Sequence, residues 1–263
     1  MKRLIYQVYT GKRSRLYDHC IDSVEDYCTT HGIDHIVQRT PKLRIKPDVF
    51  TTNRSKESYE KYGGFLPIYE KENAFDLWDK YDQIAIVDAD IWIRDGAPNI
   101  FESMDPETDF GGVVEADLPI LPWYQQKILG YSRMQYGSLK IDWDPKYNDK
   151  VGFPFMNMGL MVMNKSIAKY LNGQTAKQFI ERQEFKMFVD GLGAWKWSTD
   201  QTLLNYWIRK EKMNIQKLDW RWNCLFKAVD NKHAKEAHFV HFFLKDHLPN
   251  KGENVKELMT YVR

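Results

Sequence analysis

Residues 83–93 read Gln-Ile-Ala-Ile-Val-Asp-Ala-Asp-Ile-Trp-Ile, an apolar run from Ile84 to Val87 that ends in Asp88-Ala89-Asp90. A short, continuous apolar run of this kind reads as a buried strand. In open α/β sheets, ligands gather beyond the carboxyl ends of the strands. Alternate residues of an extended chain point to the same side, so Asp88 and Asp90 converge on one point. Two carboxylates beside an apolar strand are costly unless a cation or donors offset them. A hard cation, Mn²⁺ or Mg²⁺, takes oxygen ligands and bridges to phosphates. The bland alternative is an Asp-rich turn, because the bare triplet recurs by chance. Its position between two apolar segments favours metal binding.

Working outward, the chain alternates strand and helix. Leu4 to Tyr9 and Ile33 to Gln38 read as strands. Between them, Leu16, Cys20, Ile21, Val24 and Tyr27 recur at helical spacing over Ser14 to Thr30, and Gly32 ends the helix. The polar stretch from Pro41 to Tyr62 reads as a loop with a helical piece. Leu66 to Tyr81 follows as a helix with Ile68, Phe75, Leu77 and Trp78 apolar. This rhythm predicts an α/β domain with a mostly parallel central sheet flanked by helices. Residues 117–152 break it. Their prolines, glycines and aromatics read as an irregular, aromatic-rich insertion rather than a linker. Phe155 to Met163 and Ala237 to Leu244 read as strands, and Ala176 to Val189 and Thr199 to Glu211 as helices.

The chain has 263 residues, which fits a single domain over 1–263. There are 38 Lys and Arg against 36 Asp and Glu, a net charge of +2. That near balance argues against a nucleic-acid binder, which would carry a basic stripe. Cys20, Cys28 and Cys224 are too few and too odd for a disulfide framework. Cys20 and Cys28 lie two helical turns apart, roughly 12 Å, too far to bridge. A reducing compartment is expected. Residues 2–9 are too short an apolar run for a secretory signal, and no stretch approaches a membrane span. A cytoplasmic protein is expected, with peripheral membrane contact left open.

Four segments carry a resemblance. The first runs through Tyr69-Glu70-Lys71, Phe75-Asp76-Leu77-Trp78, Tyr81-Asp82-Gln83 and Val87-Asp88-Ala89-Asp90-Ile91. The second is Phe155-Met156-Asn157-Met158-Gly159, continuing to Asn164. The third is Ser198-Thr199-Asp200-Gln201-Thr202-Leu203-Leu204-Asn205. The fourth is Leu218-Asp219-Trp220-Arg221-Trp222-Asn223, with the strand Ala237-His238-Phe239-Val240-His241-Phe242-Phe243 after it. Together they resemble, over residues 66 to about 245, the GT-A nucleotide-diphospho-sugar transferases. The nearest likeness is to glycosyltransferase family 8, the retaining group that includes glycogenin and bacterial lipopolysaccharide galactosyltransferases.

The resemblance implies a set of roles. Asp88, Asp90 and a late-strand histidine hold Mn²⁺ or Mg²⁺. His241 is taken as that histidine, with His238 as the alternative register. Lys71 stands where the family usually has an arginine that contacts the donor; it keeps the charge and loses the planar fork. Asn157, Asp200 and Gln201 position the donor sugar, and Gly159 allows close backbone approach. Lys245 meets the diphosphate, although the family's downstream Gly and Pro-Trp are replaced by Leu244-Lys245-Asp246-His247. Tyr9 and Thr10, at the end of the first strand, are candidate nucleotide contacts. The family's Asp is absent there, where this chain has Thr10-Gly11-Lys12-Arg13. The implied donor is a nucleoside-diphosphate sugar, a UDP-sugar favoured. The implied acceptor is a glycan, glycolipid or glycoprotein.

Each residue also has a plainer reading. Asp200 suits the first turn of a helix, Thr199 or Ser198 its N-cap, the methionines a core, and a lone strand histidine a buried packing role. Sugar faces pack on aromatic rings, so Trp123, Tyr124, Trp143, Trp195 and Trp197 are acceptor-site candidates. Three other functions compete. In a haloacid dehalogenase-type phosphohydrolase, the Asp-x-Asp strand normally comes first. A nucleotidyltransferase would carry a Gly-rich first turn. A non-catalytic glycan-binding protein could share the fold.

Overall fold

β1 (Arg3–Val8) and β3 (Gln83–Val87) are neighbours in the sheet, and both are buried on both faces. Side chains alternate across a strand. Leu4, Tyr6, Ile84 and Ile86 therefore enter one core, and Ile5, Ala85 and Val87 the other. The computed structural model describes residues 1–49, 59–143 and 146–263. The part of the expected loop at 50–58, and Pro145, lie outside the described residues.

The large sheet adds β2 (Asp34–Gln38), β5 (Phe110–Val114), β6 (Met156–Asn164) and β7 (Ile215–Lys217), in the order β2-β1-β3-β6-β5-β7. All its strands run the same way except β6, which is antiparallel to both β3 and β5. A smaller sheet holds β4 (Ile91–Ile93), β9 (Phe239–His241) and β8 (Cys224–Leu225), in the order β4-β9-β8. The chain passes from the large sheet to the small one through Asp88-Ala89-Asp90.

Among the described residues, the three longest α-helices are α1 (Arg15–His31), α2 (Pro122–Tyr136) and α3 (Asp200–Lys210). α1 packs on β2 and β4, and Gly32 closes it in the left-handed conformation. α3 lies on β6, where Asn205 bonds both the N–H and the carbonyl of Met156, each at 2.8 Å.

Several expectations need correction. The 117–152 stretch contains a regular helix, α2. Pro122 sits at its first turn, where proline is favoured rather than disruptive, and Gly130 is tolerated inside it. Leu66 to Tyr81 is not an α-helix but a 3₁₀ segment, Pro67–Leu77. Glu70, Lys71, Glu72 and Asn73 are all buried there, so no single apolar stripe faces inward. Ala176 to Val189 divides into Ala176–Ile180 and Lys186–Asp190 with a tight turn between. The late strand is shorter than expected, Phe239–His241. β5 gave no strand signal because Gly111 and Gly112 interrupt it. A Cβ on Gly111 would lie 2.3 Å from Met104 Sδ. All three cysteines are buried and free. Among the described residues, no helix is long and apolar enough to cross a membrane.

Candidate active site

Asp88 and Asp90 lie on either side of a tight turn. Ile91 N–H donates to Asp88 O at 3.0 Å, and Asp88 N–H donates to Gly159 O on β6 at 2.8 Å. The register of the small sheet pairs Ile91 with His241. That pairing brings the imidazole over the turn, with Nε2 3.3 Å from Asp90 Oδ1 and 3.8 Å from Asp88 Oδ2. Ligand atoms of Asp88, Asp90 and His241 all lie within 4.8 Å of one another. His238 packs its ring on Trp222 at 4.8 Å instead.

The orientation of His241 is set from behind. Asn223 Nδ2 donates to Asn157 Oδ1 at 2.9 Å, which turns Asn223 Oδ1 toward His241 Nδ1 at 3.2 Å. With Nδ1–H donating there, Nε2 can offer its lone pair to the carboxylate side. Burial opposes a charge on this imidazole. Asp90 and Asp88 outweigh burial and raise its affinity for a proton. The same carboxylates would favour a divalent cation in place of that proton. Two carboxylates and one fixed imidazole could together hold a divalent cation.

Lys71 is buried, and its ammonium has three partners. It lies 2.8 Å from Asp88 Oδ1, 2.8 Å from Asp200 Oδ2 and 2.9 Å from the Met158 carbonyl. Burial alone would lower its pKa; Asp200 and Asp88 raise it well above the ordinary lysine range. Lys71 thus ties the strand-end aspartate to the helix that carries Asp200. Burial pushes the Asp200 carboxyl up and the ammonium draws it down, with a net rise. Thr199 caps α3 by accepting from Gln201 N–H at 3.2 Å. Gln201 Oε1 in turn accepts from Met158 N–H at 3.2 Å.

Two clefts meet at this cluster. One, of about 460 Å³, is lined by Tyr9, Thr10, Gly11, Lys12, Tyr17 and Tyr62. The other, of about 330 Å³, is lined by Asn157, Gly159, Asp200, Gln201, His241 and one face of α2, comprising Tyr124, Lys127, Ile128 and Tyr131. Ile68, Lys71, Asp88 and Asp90 line both. Lys245 Nζ approaches Asp90 Oδ2 at 3.6 Å and lies 3.9 Å from the centre of the Tyr17 ring. Burial lowers its pKa to about 8.

The residues expected to bind donor and metal therefore border one of these clefts or the Asp pair. Some have duties the sequence did not suggest. A Cβ on Gly159 would fall 2.3 Å from His241 Cε1, so this glycine makes room for the imidazole. Asn157 Oδ1 is already shared by Gly159 N–H at 3.0 Å and Asn223. Of the aromatic candidates, Tyr124 and Trp197 line the second cleft. Trp123 stacks on His247, Trp195 donates its indole N–H to Gln135 O, and Trp143 is buried against Arg209.

Glu115 was missed. It is buried at the end of β5, accepts a hydrogen bond from Tyr124 Oη and lines the second cleft. Burial lifts its carboxyl to about 7, against partial offsets from Tyr124, His241 and Asn157. Nothing in the local sequence marks it, because its importance comes from α2 closing over it.

The architecture matches solved structures. A glycosyltransferase involved in glycosylation of the major capsid of PBCV-1 aligns over 98% of this chain and 100% of its own, at 14% identity and a TM-score of 0.58. Galactosyltransferase LgtC in complex with donor and acceptor sugar analogs aligns over 99% and 95%, at 12% identity and a TM-score of 0.50. An active-site mutant of LgtC aligns over 98% and 95%, at 12% identity and a TM-score of 0.53. No protein-family model and no curated protein matches the sequence. The chain has the GT-A glycosyltransferase fold, an α/β sheet flanked by helices.

Proposed function

We propose that the protein is a metal-dependent glycosyltransferase that moves a sugar from a nucleoside diphosphate to a hydroxyl of a glycan-type acceptor. The observation that carries this reading is the meeting of Asp88, Asp90 and His241 at the junction of two clefts. One cleft fits a nucleotide beside Tyr9 and Thr10. The other fits a sugar among Asn157, Asp200, Gln201 and Glu115. Asp88, Asp90 and His241 would hold a divalent cation, which when bound neutralises charge on a departing diphosphate.

The chain's own groups do the rest. Lys71 holds Asp88 and Asp200 in one arrangement before substrate arrives, so little reorganisation is needed at reaction. Lys245 adds a second cation at the diphosphate side of Asp90. In the transfer, the bond between the anomeric carbon and the phosphate oxygen breaks. A bond from the acceptor oxygen forms, and the acceptor's proton passes to the leaving diphosphate. Retention of configuration and a UDP-sugar donor are part of the proposal, on the resemblance described above.

The test is release of nucleoside diphosphate from a panel of nucleotide sugars, with Mn²⁺ and with chelator. Manganese-dependent release is expected, falling at least about a hundredfold in Asp90→Ala, since such a metal supplies several kcal/mol of charge stabilisation. No release from any donor, with metal-dependent cleavage of a simple phosphate ester instead, would replace this reading with the phosphohydrolase. NMR of the product's anomeric proton tests retention.

A further inference from the structure

The turn at 191–199 holds Trp197 in an unusual setting. The residue is 51% exposed and lines the second cleft. The flexible ammonium of Lys196 lies over its ring, 5.7 Å from the centroid. The backbone on either side is nonetheless pinned. Trp195 Nε1 donates to Gln135 O at 3.0 Å, Ser198 Oγ donates to Phe188 O at 2.8 Å, and Ser198 N–H donates to Trp195 O at 2.8 Å. Gly191 and Gly193 take the left-handed conformation that this tight course requires. A large apolar ring is thus carried half-exposed on a pinned stretch of backbone, with much of the burial that would normally stabilise it missing. Two residues on, the same strand of chain enters α3 at Thr199 and Asp200.

The cleft itself is layered. Asp200, Asn157, Gly159 and His241 form its buried inner part, beside the Asp pair. Trp197 and Lys127 form its exposed rim. A donor sugar attached to a diphosphate must sit at the inner end, so the rim is left for the acceptor. A flat indole beside carboxyl, amide and ammonium groups matches a pyranose, which has an apolar face and a belt of hydroxyls. It matches a lipid tail or a peptide hydroxyl poorly.

We infer that Trp197 is the acceptor platform, stacking on a pyranose ring of a saccharide acceptor so that one of its hydroxyls reaches the inner cleft. The inference rests on the glycosyltransferase reading above and assigns the acceptor class at that site. Trp197 acts as a specificity-determining residue for the acceptor, and donor handling does not depend on it.

The test uses the full chain with Mn²⁺. Methyl glycosides of glucose, galactose, mannose, xylose, rhamnose and N-acetylglucosamine are titrated in, and the Trp197 indole N–H resonance, identified by its loss in Trp197→Phe, is followed by NMR. Transfer to the same glycosides is measured in parallel with donor hydrolysis. At least one glycoside is expected to shift the Trp197 resonance. Trp197→Ala should raise its KM about tenfold, in line with the stacking energy of one aromatic, and lower kcat far less than that. Trp197→Phe should restore most of the loss, and Trp123→Ala, on an exposed ring outside the cleft, should do nothing. A glycoside that is used with the same KM by Trp197→Ala overturns the inference. So does intact donor hydrolysis with no glycoside shifting the resonance or serving as acceptor. Absent donor hydrolysis instead counts against the transferase reading, and the indole titration still decides whether Trp197 meets sugars.

Discussion

At the residue scale, the site depends on close contacts between groups that differ widely in chemistry. Gly159 is the sharpest case. Any side chain there must displace the His241 ring, because the nearest ring atoms would be 2.3 and 2.6 Å from its Cβ. Gly159→Ala is expected to keep the fold, at a cost of about 1–3 kcal/mol for overpacking. It should weaken Mn²⁺ binding by about 10–100-fold, the range found when the support of a ligand is disturbed. Calorimetric titration of Mn²⁺ checks it, and unchanged affinity would mean that His241 is not a ligand. The Asp pair was legible from the sequence because it follows its own strand directly. Glu115 and the commitment of Lys71 to two aspartates were not, because their partners lie far along the chain.

At the element scale, α3 carries chemistry at one end and packing along its length. Thr199 caps it, Asp200 and Gln201 occupy its first turn, and Leu203, Leu204, Trp207 and Ile208 enter the core. Removing the cap in Thr199→Ala is expected to cost about 1 kcal/mol of stability. It should also loosen Gln201, whose N–H the threonine accepts, and lower the transfer rate more than the melting temperature suggests. Denaturant unfolding together with a kcat measurement separates the two effects. Helix α3 was readable because a capping residue, Ser198 or Thr199, stands at its start. Helix α2 was not, because Gly130 and scattered aromatics hide the one face that matters: Tyr124, Lys127, Ile128 and Tyr131, neighbours only once the helix is wound. The 3₁₀ segment at Pro67–Leu77 misled in the opposite way. Its apolar residues suggested an ordinary amphipathic helix, while its polar ones turned inward: Lys71 to Met158 on β6 and Asp200 on α3, Glu70 to the backbone of residues 42–44, and Asn73 to Tyr6 on β1.

At the scale of the whole molecule, one buried carboxyl links the site to global stability. Glu115 titrates near 7 in the folded chain, against an ordinary value of 4.5, because burial disfavours its charged form. Its folded value is raised, so its favourable contribution is complete below pH 4.5 and is lost as pH rises through 7. Wild type should therefore lose on the order of 3 kcal/mol relative to Glu115→Gln between those limits. Melting curves in chelator at pH 5 and pH 8 measure the difference, and parallel pH profiles for the two proteins would count against the assignment. The sequence by itself determined the Asp pair at a strand end, much of the alternation of strands and helices, the glycine stop of α1, a Ser198 or Thr199 cap for α3, and the candidate list for the site. Those signals are local: each lies within one element or its immediate flanks. The tertiary structure alone decided that β6 runs against its neighbours, that His241 rather than His238 faces the aspartates, that Glu115 joins the cleft, and that Trp197 stands at its rim. Each of these follows from strand register or helix packing between segments distant in the chain, and no local pattern encodes that pairing.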